Sequence, residues 1–130
     1  MTTVLKLSTQ KKLPLPNSDF YQIAETLSAD EQAVLKKVRA FLDAKVAPII
    51  NRYWVEDAFP FEVLPALKEL NIGGLGVDGY GYKRASDKLH GLLIAEMTRV
   101  DASFATFFGV HIGLSMGSIA LLGSEEQKQK

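Results

Sequence analysis

Cysteine is absent from the 130 residues, so neither a disulfide framework nor thiolate chemistry is available, which favours a reducing compartment. Net charge is absent too: fifteen basic and fifteen acidic residues cancel, and neither kind runs in a block. That balance speaks against nucleic acid or an anionic membrane surface as a partner. No metal-ligand spacing, no nucleophilic triad element and no internal repeat occurs, and strand signals are scarce. The first eighteen residues lack arginine, acid and any apolar core, so they do not read as a secretory signal. Pro14 and Pro16 break the amphipathic helix a transit peptide would need. Residues 1–27 read as a flexible lead-in.

What is present is helical, and the predicted fold class is all-α. Ser28-x-x-Glu31 is a capping box, followed by an apolar stripe at Val34, Leu35, Val38, Phe41, Leu42 and Val46. Pro48 ends or kinks that helix. A shorter second helix lies in PFEVLPALKELNIGG, with Pro60 and Pro65 near its first turns and residues 71–74 as its stop. A glycine-rich loop follows. Ser86 is placed to cap a third helix, DKLHGLLIAEMTRV, and Ser103 a fourth over 104–122. Ser124-x-x-Gln127 opens a further helix that stops about two turns on, so the chain reads as a piece of a longer protein.

The fourth helix carries no charge from 102 to 123, and Ala105, Gly109, Gly113 and Gly117 recur at a spacing of four. A membrane span with a small-residue association face has this length and spacing. Thr106, His111, Ser115 and Ser118, with Glu125 and Glu126 directly after, speak instead for a helix buried on all sides in a protein. Three interior glycines destabilise a helix by roughly 1 kcal/mol each. Their flank therefore wants a close neighbour, or a ligand lying on bare backbone.

GLGVDG, residues 74–79, matches the dinucleotide fingerprint in letters only, since a helix precedes it where a buried strand is required. His111 has no carboxylate one turn away and reads as a satisfied core histidine. Glu96, Arg99 and Asp101 read as a structural ion-pair and capping cluster, Tyr53 and Trp54 as core aromatics or an interface patch.

Two stretches carry a family likeness. FLDAKVAPIINRYWVEDAFPFEVLPALKELNIGGLGVDGYG has the layout of the N-terminal helical domain of acyl-CoA dehydrogenases and oxidases. EMTRVDASFATFFGVHIGLSMGSIALLGSEEQKQK resembles the plant peroxisomal short-chain acyl-CoA oxidase branch, which is similar to glutaryl-CoA dehydrogenase. The resemblance spans residues 27–130. It implies a homo-oligomeric flavoprotein whose middle β-domain, C-terminal four-helix domain, catalytic glutamate and FAD contacts lie outside this chain, with residues 28–130 as the N-terminal domain. It implies acyl-CoA as substrate and FAD as cofactor of the whole protein. This chain would supply only one wall of the acyl pocket, at Ala105, Thr106 and Gly109.

Glutaryl-specific relatives place an arginine and a serine where this chain has Ala105 and Thr106. A plain acyl chain is therefore expected, because a buried carboxylate would need a partner. The likeness implies a peroxisomal location, with the mitochondrial matrix as alternative. A standalone helical interaction module is the competing function, and the chain alone is expected to be inert.

Overall fold

The computed structural model describes residues 19–129; the part of the expected lead-in at 1–18 lies outside them. Among the described residues there is no strand, only an isolated antiparallel pairing of Gly79 with Tyr82. The all-α expectation holds.

Helix α1, Ala29–Phe41, starts at the expected box: Ser28 Oγ accepts from Glu31 N at 3.3 Å while Ser28 N donates to Glu31 Oε2 at 3.1 Å. It widens into a π turn over Leu42–Val46, where Ala47 N reaches back to Leu42 O at 2.8 Å. Pro48, which has no N–H to donate, closes that ladder. The apolar stripe faces inward, and Val38, Leu42 and Val46 are fully buried. Helix α2, Ile50–Val55, follows, and a 3-10 turn at Phe61–Val63 leads into α3, Leu64–Glu69. Asn71, at φ +53°, stops α3 in the left-handed conformation that asparagine tolerates.

The GLGVDG segment is a turn. Tyr80 and Gly81 both have positive φ, 53° and 87°, between the paired Gly79 and Tyr82, the geometry of a two-residue hairpin loop. No helix opens there, so a pyrophosphate would find no aligned amides. Gly74 is required for space, because a Cβ on it would fall inside the Tyr82 ring.

Helix α4, Asp87–Val100, is capped by Ser86, whose Oγ accepts from Leu89 N at 3.1 Å. It packs on α1 and on α5, Ala102–Gly109. Beyond α5 a π segment, Val110–Met116, and α6, Gly117–Leu122, continue the same helical path. Helix α7, Glu125–Lys128, starts at the expected Ser124 and Gln127 box.

Three expectations are corrected. The cap of the long helix is Asp101, not Ser103: Asp101 Oδ1 accepts from Phe104 N at 2.7 Å, and the helix starts correspondingly earlier. The helix is also not buried all round. Ile112 is its last buried residue, and Leu114, Leu121 and Leu122 are 67%, 82% and 88% exposed. Its π segment shifts side chains off a 3.6-residue wheel, and no described element lies against its far side. His111 is exposed rather than in the core.

By length and composition the 21 residues Ala102–Leu122, at mean hydropathy 1.6, would serve as a membrane span. Yet Phe104, Ala105, Phe108 and Ile112 are packed into the chain's own core, so one face of this helix is a protein-facing surface.

The glycine flank is uneven. A Cβ on Gly109 would touch Ile94 Cδ1 at 3.7 Å, an ordinary contact with α4, whereas one on Gly113 meets nothing within 4 Å. Gly113→Ala is therefore expected to stabilise the chain by about 0.5–1 kcal/mol, read from the urea midpoint. A loss of stability would show that the flank is not open.

Candidate functional site: an exposed wall on the long helix

The roll of α5 about its axis is set by aromatic packing beneath it. Phe104 is fully buried and stacks on Phe59, with ring centres 6.1 Å apart and planes 8° from parallel. Phe41 lies 6.4 Å from the same ring, and Phe107 packs 5.0 Å from Phe59. With that face fixed inward, the opposite one must face out.

The structure places the three expected wall residues differently. Ala105 is buried in the core at 6% exposure, and Gly109 is half-buried against Ile94. Thr106 is exposed, and its Oγ1 donates to Ala102 O at 2.9 Å. The hydroxyl is thus used on its own helix, which leaves the methyl to face outward. One turn and two turns further on, Val110 and Leu114 are 44% and 67% exposed, with bare Gly113 beside them. Reading the sequence for a wall overlooked Val110 and Leu114. The signal was available as a second ladder, Thr106, Val110 and Leu114, one residue out of step with the glycines.

A groove of about 460 Å³ adjoins the other side of this helix, where Phe107, Phe108, His111 and Met116 face α3 and residues 71–74. A smaller hollow of about 220 Å³ lies between Met116 and Ile119 and the two tyrosines of the turn, Tyr80 and Tyr82. The turn is fastened to α7 by Tyr80 Oη, which donates to Glu125 Oε2 at 2.6 Å. That bond, with Lys128 adding to it, holds the Glu125 carboxyl below its usual range and pushes the Tyr80 hydroxyl up.

An ion-pair cluster joins α4 to α1 and the π turn that follows it. Glu96 accepts from Arg39 and from Arg99, the latter at 2.9 Å, and Arg99 also donates to Asp43 at 2.7 Å. The expected ion pair of Glu96 and Arg99 is present, joined by Arg39 and Asp43, while Asp101 stands apart from it as a helix cap. Among the described residues no set of three or more His, Asp or Glu gathers for a metal. The glycine loop forms a hairpin turn instead of opening a helix, so it offers no helix N-terminus to a pyrophosphate. The flank of Thr106, Val110 and Leu114 thus presents an uncharged, largely apolar surface to solvent.

The family described as acyl-CoA dehydrogenase, N-terminal domain, matches residues 28–130. An acyl-CoA dehydrogenase of Bacillus subtilis is 30% identical over 102 residues, which cover 77% of this chain and 27% of that protein. The mitochondrial isobutyryl-CoA dehydrogenase of Dictyostelium discoideum is 26% identical over 132 residues, covering 95% and 31%. The mitochondrial short/branched chain specific acyl-CoA dehydrogenase of Bos taurus is 29% identical over 105 residues, covering 80% and 24%. The chain thus spans roughly a quarter to a third of the length of the curated relatives it matches. With a helical fold and that family match over residues 28–130, the chain belongs to the acyl-CoA dehydrogenase family, as its N-terminal domain.

Proposed function

We propose that the chain forms one wall of the acyl pocket in a flavin-dependent, homo-oligomeric enzyme that desaturates a short, plain acyl-CoA. The observation that carries this is the uncharged exposed flank of Thr106, Gly113, Val110 and Leu114, on a helix whose other face is locked into the core. Gly109 lies at its edge, and Ala105 supports it from beneath where a dicarboxylate-specific relative would carry an arginine. Two of the relatives are named for branched or short acyl groups, which supports the same substrate class. The plant-oxidase likeness favours an oxidase in the peroxisome; the two relatives named as mitochondrial favour a dehydrogenase in the matrix. FAD belongs to the whole enzyme and would be held by residues outside this chain.

The test is steric. In the full-length enzyme, Val110→Trp should fill the pocket and shift preference toward shorter acyl chains, by roughly tenfold in the ratio of kcat/KM values. An unchanged chain-length profile would remove the wall assignment. The 130-residue chain with added FAD should give no acyl-CoA-dependent dye or oxygen reduction, and turnover above background would overturn that expectation.

A further inference from the structure

Asp101 is the junction between α4 and α5, and it is only 4% exposed. Its backbone N–H donates to Met97 O at 2.8 Å, and its carbonyl accepts from Ala105 N at 3.1 Å. Its carboxylate is divided: Oδ1 accepts from Phe104 N at 2.7 Å, and Oδ2 accepts from the indole Nε1 of Trp54 at 2.6 Å. Trp54 lies 47 residues earlier in the chain and is 67% exposed.

The asymmetry between the partners is informative. An exposed indole N–H loses little without a protein acceptor, because water serves it. A buried carboxylate oxygen without a donor is costly. The bond therefore matters to Asp101 more than to Trp54. The N-terminus of the long helix supplies one donor and a favourable field, and the indole supplies the second donor.

We propose that Trp54 is a positioning residue for the long helix: by satisfying Oδ2 it holds the Asp101 carboxylate in its capping rotamer and so fixes where the wall helix begins. Without the indole N–H, the carboxylate turns toward water and releases Phe104 N, and the first turn of α5 loosens. The inference bears on acyl binding only through the wall reading above.

The 130-residue chain is suited to the test, because Trp54 is its sole tryptophan. In Trp54→Phe, amide exchange at Phe104 and Ala105 should quicken roughly tenfold while α1 amides keep their rates. Asp101→Ser, which can cap but is too short to reach the indole, should leave Phe104 largely protected. It should also move Trp54 emission to that of a hydrated indole. Exchange at Phe104 within about twofold of the parent in Trp54→Phe, or an equal rise throughout α1 and α4, would overturn the proposal. The acyl chain-length profile of full-length Trp54→Phe reports separately. Faster exchange with an unchanged profile keeps the tie and removes the wall reading.

Discussion

Glu96→Ala should cost about 3–5 kcal/mol, a large share of the stability of an ordinary domain. The Glu96 side chain is 3% exposed and receives Arg99, itself 5% exposed, at 2.9 Å. Removing the carboxylate leaves the Arg99 guanidinium buried with Asp43 as its remaining ion-pair partner. Arg39 is 42% exposed, so water compensates it, and the penalty falls on Arg99. Burial alone would push the Glu96 carboxyl up, but the hydrogen bonds from Arg39 and Arg99 outweigh it and hold the group below its ordinary 4.5. A depressed carboxyl contributes stability that is complete above the unfolded value and is lost as pH falls through the folded one. Urea unfolding should show the loss at neutral pH. Glu96→Gln should flatten the decline in stability below pH 4.5. A change under about 1 kcal/mol for Glu96→Ala would show that the cluster is only a surface ornament.

The second large effect is expected at Phe104. Truncation to alanine removes a fully buried ring from between Phe59 and Phe41 and should cost about 3–5 kcal/mol. Loss of the stacked pair adds to the cavity, since aromatic pairs contribute about 0.5–1.5 kcal/mol beyond area. Phe104→Leu, which keeps most of the volume, should cost less than half as much. Leu122→Ala, at 88% exposure, should stay within about 0.5 kcal/mol in this chain. Calorimetric unfolding of the three variants gives the order directly. Equal costs at Phe104 and Leu122 would mean that the long helix is not docked as described.

Much of this architecture was legible before any coordinates. The serine caps at 28, 86 and 124 were readable because capping is local: donor, acceptor and spacing all sit within one turn. The inward stripe of α1 was readable because it follows one period. The π turns were not, since a wheel drawn at 3.6 residues assumes the answer. Asp101 was misread for a different reason. Ser103 offers an equally good local cap, and what selects Asp101 is a tryptophan far away in sequence. The wall itself was half legible. Its lack of charge was evident, but which residues face out depends on Phe59 gripping Phe104, a contact no helical period reveals.

Glu31 has one further consequence. While closing its own cap, it also accepts from Ser86 N, at 3.1 Å, where α4 begins. Hydrogen bonds from Ser86 and then Ser28 bring its carboxyl down to about 2. Two helix starts, at Ser28 and at Ser86, thus share a single carboxylate. Fraying at either end withdraws an anchor from the other, so the beginnings of α1 and α4 lean on one side chain. The framework on which the wall helix rests is tied at a corner, and a lone side chain forms the knot.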